Sequence, residues 1–244
     1  MHKLKIYFLL LILAGFTGAL KAQDKVTFES TDNIIVTAMQ YKANDTMPYI
    51  VMCHDENSSK GEYRHETQKF MKLGYNCLAV DLRNGNTFDS VPNETATLVR
   101  LRQLHVGNAD VQLDIVAAIN YAHSINNKKV ILMGSGYSAS LALYIGATNL
   151  LVSSVVVFSP TDYFGGSLKT KDVFSKYQSI PVYVASSKAE SADVKKYVAA
   201  IPTAKLTTFT PTGSGAHGSA ALLPYDVDFH SYWISLLLFL KGAK

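Results

Sequence analysis

At 244 residues and 48% hydrophobic content, the chain is long enough for one substantial core, and α/β domains of this size stay single. It carries 23 basic and 19 acidic residues, but Lys3, Lys5 and Lys21 fall within the first 22 positions, which leaves 20 basic against 19 acidic beyond them. That near-neutral balance gives no electrostatic case for nucleic acid or an anionic membrane as partner.

Residues 1–22 have a basic start, an apolar run from Ile6 to Ala14, and small residues at Gly18, Ala19 and Ala22. The pattern is that of a secretory signal, with too short an apolar stretch to span a bilayer. An exported protein is expected, periplasmic or secreted, with residues 23–244 as one domain and no membrane partner after signal removal. No cysteine stands at the cleavage position to carry a lipid.

Lys25 to Glu29 and Ile34 to Tyr41 read as an antiparallel leading hairpin. Tyr49 to Cys53 is a continuous apolar run of the kind buried on both faces of a parallel sheet. Glu62 to Leu73 has helical spacing and stops at Gly74; Tyr75 to Leu82 is the next strand. Arg83 to Leu104 is polar and has no assignable element, and a stretch of that length in a compact domain is more often functional or mobile than idle. Asp110 to Ser124 regains helical spacing. Val130 to Met133 is a strand, followed by a glycine turn and a helix over Ser138 to Thr148. Val152 to Phe158, Ile180 to Ala185 and Lys205 to Thr210 complete the strands, with helices over Ala192 to Ile201 and Tyr225 to Lys241. Apolar strands alternating with helices predict an α/β fold, a mostly parallel sheet of about eight strands with helices on both faces.

Cys53 and Cys77 fall on neighbouring strands with a stagger of about three residues, or ~10 Å at 3.3 Å per residue. A disulfide needs Cα atoms within about 7 Å, so both are expected as core residues, and two such cysteines make no zinc site.

In such a sheet ligands bind beyond the carboxyl ends of the strands. Those ends carry His54, Asp81, Gly134, Pro160, Ser187 and the loop after Thr212. Acyl transfer needs a nucleophile, a base, an acid to orient the base, and amides for the oxyanion. The turn at Gly134, then Ser187 to Glu190, then His217 follow the chain order nucleophile, acid, histidine.

The segments YIVMCHDENSS, FMKLGYNCLAVDLRNG, VILMGSGYSASLAL, IPVYVASSKAE and GSGAHGS, in that order, resemble the α/β-hydrolase superfamily and its dienelactone-hydrolase-like branch. The resemblance spans nearly all of residues 23–244. It implies an α/β-hydrolase fold and an ester or lactone hydrolase acting on a small ester-like ligand, with His217 as base and Glu190 as acid. Asp162, after the preceding strand, is the rival acid. Amides near Asp55 or Glu56, with that of Tyr137, would form the oxyanion hole, and an acidic residue at Asp55 or Glu56 would reach the pocket. His54 is expected to hold its loop, while His65, His105, His123 and His230 are surface or packing residues.

The elbow departs from that pattern. With Gly134 as its first glycine, Gly136 stands where the nucleophile belongs, and glycine accepts a left-handed backbone there without strain. Ser135 could serve only if the turn slid by one residue; Ser138 falls in the first helical turn, where a hydroxyl accepts from a backbone N–H. The alternative to an active hydrolase is therefore a catalytically silent member that binds a small ligand or partner in the same cleft. Gly134, Gly136 and Ala139 also match the dinucleotide pattern G-x-G-x-x-A, but they follow the fifth strand, and the nearest acid beyond the next strand is Asp162. No cofactor and no metal are expected.

Overall fold

The structure, a computed structural model, describes residues 23–107, 110–165 and 170–242; the signal expected over residues 1–22 lies outside them. Among the described residues, eight strands and seven α-helices follow in the order β1 (Gln23–Glu29), β2 (Ile35–Tyr41), β3 (Tyr49–Cys53), α1 (Glu66–Lys72), β4 (Asn76–Val80), α2 (Glu94–Leu101), α3 (Val111–Asn126), β5 (Val130–Ser135), α4 (Gly136–Gly146), β6 (Val152–Phe158), α5 (Thr170–Phe174), β7 (Val182–Ala185), α6 (Ser191–Tyr197), β8 (Leu206–Phe209) and α7 (Phe229–Gly242). They form one sheet in the order β1-β2-β4-β3-β5-β6-β7-β8. Its first two pairings, β1 with β2 and β2 with β4, are antiparallel; the others are parallel.

Successive strand side chains leave opposite faces, and here both faces are covered. Val51 and Cys53 pack with α3 and α4 residues such as Ile119 and Leu141, whereas Ile50 and Met52 pack with Phe70 of α1 and Trp233 of α7. The strands are apolar throughout for that reason. Cys53 and Cys77 are buried and free, and the register pairs Ile50 with Cys77 and Cys53 with Val80, which places the thiols three residues out of step.

Several boundaries differ from the sequence reading, among them β5, which runs on to Ser135, and α6, which ends at Tyr197 rather than Ile201. The helix expected over Glu62 to Leu73 is a 3-10 turn at Lys60–Tyr63 followed by α1. Arg83 to Leu104 contains α2, whose N-cap Asn93 accepts the Ala96 amide at 2.8 Å. Pro92-Asn93-Glu94 is a helix-start signal that the surrounding polarity hides. Helix α4 starts at Gly136 rather than Ser138, and α7 at Phe229 rather than Tyr225.

Glu66, in the first turn of α1, is 1% exposed, and burial, with the charge of Glu62 adding to it, pushes its carboxyl up to about 8. An acid whose folded value exceeds its ordinary 4.5 binds extra protons in the folded state, so stability falls as pH rises from about 4.5 through about 8. Glu66→Gln is therefore expected to stabilise the fold by about 2 kcal/mol at pH 9 and to change little at pH 4. Urea melts at the two pH values check this, and an equal effect at both would refute it.

Candidate active site

Strands β3 and β5 are neighbours whose following connections leave in opposite directions across the sheet. The chain leaves β3 toward α1 on one face, and leaves β5 into α4 on the other. The crevice between them is the switch point at which such sheets bind ligands. Cys53 is in register with Gly134, so two residues beyond that pair Asp55 and Gly136 stand face to face.

Gly136 has φ +49°, the left-handed backbone expected of an elbow tip. A Cβ built on it would lie 2.1 Å from Asp55 Oδ1 and 2.3 Å from Asp55 Oδ2. The Asp55 carboxylate thus fills the space that an elbow side chain would take. Its Oδ1 accepts the amides of Tyr137 at 2.8 Å and Glu56 at 2.7 Å. Two amides converging on one oxygen have the form of an oxyanion hole. Here the chain fills the hole with an oxygen of its own.

Asp55 Oδ2 lies 3.0 Å from His217 Nε2, and His217 Nδ1 bonds to Glu190 Oε1. Both ring nitrogens of His217 are engaged by carboxylates, which join a loop after β3, a loop after β8 and the start of α6. Glu190 Oε2 accepts from Ser187 N at 3.0 Å, Ser187 Oγ at 2.7 Å and Ser159 Oγ at 2.7 Å. Ser159 Oγ also accepts the Gly218 amide at 3.0 Å, linking the acid to the histidine loop. Ser159 does this from φ +54°, a conformation that costs a side-chain-bearing residue on the order of 1–3 kcal/mol. No sequence signal marks a non-glycine residue in that backbone.

Hydrogen bonds donated to Asp55 and Glu190 outweigh burial and raise His217 to about 10, so its ring is an imidazolium at neutral pH. Burial pushes Glu190 up, but its bonds from His217, Ser187 and Ser159 more than offset that and hold it at about 2. Burial likewise opposes ionisation of Asp55, and the His217 bond with the Tyr137 and Glu56 amides keeps its carboxyl below the ordinary value.

The other candidate residues are taken up by bonds of their own, although Ser135 lines the same cleft as Asp55 and His217. Ser135 is buried, and its Oγ accepts the Ser219 amide at 2.9 Å. Ser138 Oγ accepts the Ser135 amide at 3.0 Å and donates to the Cys53 carbonyl at 2.6 Å, which ties the elbow to β3. Asp162 is exposed and accepts the Phe164 amide at 3.2 Å. His54 Nε2 accepts the Leu82 amide at 2.9 Å while its Nδ1 meets the Asp55 carbonyl at 2.6 Å, so it fixes the loop that carries Asp55. Asp81 is taken up by Lys60, at 2.6 Å, and by the Glu94 amide at 2.8 Å. Glu62, which the sequence reading passed over, accepts the Asp55 amide at 2.9 Å and the Ser219 hydroxyl at 2.6 Å. Among the described residues no group of three or more His, Cys, Asp and Glu is arranged to hold a metal ion.

A cleft of about 220 Å³ opens on this cluster, with Asp55, Glu62, His217, Phe88, Leu223 and Tyr225 among its walls. At the fold level the chain is similar to the Pyrococcus furiosus esterase Pf2001 (TM-score 0.64, 14% identity, 91% of this chain and 93% of that one). It is also similar to the α/β hydrolase GrgF from Penicillium sp. sh18 (TM-score 0.68, 13% identity, 91% and 99%). No curated relative matches at the sequence level. The profile of the Dienelactone hydrolase family matches residues 35–198, from the first residue of β2 to just past α6, and so takes in the Asp55 loop, the elbow and Glu190. With that match over more than half of its length, and with the α/β-hydrolase sheet beneath it, the chain belongs to the dienelactone hydrolase family.

Proposed function

We propose that this protein is an exported member of the family that has given up serine-type ester and lactone hydrolysis and keeps the cleft for a small ligand. One observation carries the reading: the Asp55 carboxylate stands in the space of the missing elbow side chain and takes up both converging amides. A substrate carbonyl oxygen would have to displace that charged oxygen to be polarised. His217, already protonated at neutral pH, has no free lone pair with which to activate an alcohol or a water. The secretory pattern of residues 1–22 supports export.

The reading is tested with a serine-directed phosphonate probe and with p-nitrophenyl acetate. No labelling is expected, and the ester rate of the wild-type protein should match that of His217→Ala. Stoichiometric labelling, with Ser135 as the modified residue, would overturn the reading and restore serine chemistry.

A further inference from the structure

A carboxylate held as Asp55 is held has a chemistry of its own. Oδ1 is fixed by two amides, and Oδ2 faces His217 on a side chain that is 24% exposed and forms part of the cleft wall. Against an ester carbonyl such a group is ineffective: the tetrahedral adduct would expel the carboxylate, the better leaving group, rather than the alkoxide. The amides that should stabilise that adduct are also in use. Displacement at a saturated carbon needs neither an oxyanion hole nor an acyl leaving group, only an ionised nucleophile held in line with a group that can depart with the bonding electron pair.

We infer that Asp55 is a nucleophile for displacement at saturated carbon, and that the cleft hydrolyses short, neutral alkyl halides through an alkyl ester of Asp55. In the first step Asp55 Oδ2 forms a bond to the substrate carbon, and the halide departs with the electron pair of the carbon–halogen bond. The product is a neutral ester whose carbonyl oxygen, Oδ1, already sits on the Tyr137 and Glu56 amides. These are the donors that the second step requires.

That second step is attack of water on Cγ of Asp55. Alkylation removes the charge of Asp55, the first of the two carboxylates that hold a proton on His217, which lowers the ring's hold on that proton while Glu190 stays in place, and the ring that loses it to solvent is a base. His217 takes a proton from water as the Cγ–O bond forms, then returns it to the departing alkoxide as the Cγ–Oδ2 bond breaks. Alkyl halide and water give alcohol, halide and one proton, and Asp55 is regenerated with one oxygen from water. Glu190, held by Ser187 and Ser159, keeps the imidazole oriented throughout.

Substrate class follows from the walls. At about 220 Å³ the cleft is below the roughly 300–1,000 Å³ of sites for drug-sized ligands, which limits it to a short chain. Among the described residues, Asp55, Glu56 and Glu62 line it against one cation, His217, so anionic haloacids are repelled and neutral halides are not. Phe88 and Leu223 supply apolar surface for the alkyl group.

The inference rests on the reading that Asp55 has replaced the elbow side chain, and its test is separable from the phosphonate experiment. The purified protein is incubated with 1-bromobutane in ¹⁸O-water, bromide release is followed, and the peptide bearing Asp55 is mapped by mass spectrometry. Enzyme-dependent bromide release is expected, with ¹⁸O in the Asp55 carboxylate. Asp55→Asn, shown by circular dichroism to be folded, should lose release on the order of a hundredfold or more. His217→Gln should accumulate a butyl group on Asp55. Cys53 and Cys77 are buried, so thiol alkylation does not compete. Bromide release at the protein-free rate, or ¹⁸O in butanol with none in Asp55, would overturn the inference while leaving the loss of serine chemistry intact. Phosphonate labelling would instead overturn the reading beneath it.

Discussion

Combining Gly136→Ser with Asp55→Ala is expected to raise hydrolysis of p-nitrophenyl acetate on the order of a hundredfold above the wild-type protein, while neither change alone does so. The reason is steric first. A serine introduced at 136 by itself must place its Cβ 2.1 Å from Asp55 Oδ1, at φ +49°. Backbone strain of about 1–3 kcal/mol and overpacking of a similar size predict a loss of about 3 kcal/mol or more in stability. Truncating Asp55 removes the obstruction and frees the Tyr137 and Glu56 amides for a substrate oxygen. The Cβ at 136 would lie 2.3 Å from the present position of Asp55 Oδ2, the atom paired with His217 at 3.0 Å, so the introduced hydroxyl can stand where Oδ2 now stands. The two sites share one cavity and must couple, and a double-mutant cycle in both melting and ester turnover measures that coupling. Additive stabilities, or turnover in the double variant no higher than in the wild type, would show that Asp55 does not occupy the nucleophile's place.

The features that the sequence made legible are those set by local pattern. Apolar strands, helix stops such as Gly74, and the order of turn, acid and histidine brought Gly136, Glu190 and His217 to the same end of the sheet on paper, and the fold brings Glu190 and His217 into contact. The identity of the third partner was not legible. Asp55 was expected at the pocket on the strength of the family resemblance. Its meeting with Gly136, however, depends on the Cys53–Gly134 register, a long-range pairing between β3 and β5. Ser159 and Glu62 were missed for the same reason, since Ser159 bonds to Glu190 and Gly218 and Glu62 to Ser219, all far away in the chain. Asp81 and His54, conspicuous at strand ends, are consumed by Lys60 and by the Leu82 amide, and only partner geometry reveals this.

In the wild-type protein the His217 ring is expected to remain protonated well above neutrality, titrating at about 10, and in Asp55→Asn its midpoint should fall toward the ordinary 6.5. The hydrogen bond that the ring donates to Asp55 is the largest of the causes that raise it, followed by the one to Glu190. An amide at position 55 keeps the shape of the side chain and removes its charge. The sign for stability follows from the same values. A histidine raised in the folded state contributes fully below about 6.5, and that contribution drains away as pH climbs through about 10. A lowered Glu190 contributes fully above its ordinary 4.5 and loses its share as pH falls through about 2. The cluster is therefore most stabilising between about pH 4.5 and 6.5. The His217 side chain is 50% exposed and solvent-screened, which limits its contribution to about 1 kcal/mol. Nitrogen-15 shifts of the ring across pH 5–11, in wild type and Asp55→Asn, report the protonation state directly. A wild-type midpoint near 6.5, or one unmoved by the substitution, would refute the charge-held imidazolium. An imidazolium at neutral pH explains how one residue set can be closed to esters and still complete a displacement: His217 becomes a base only after Asp55 has lost its charge.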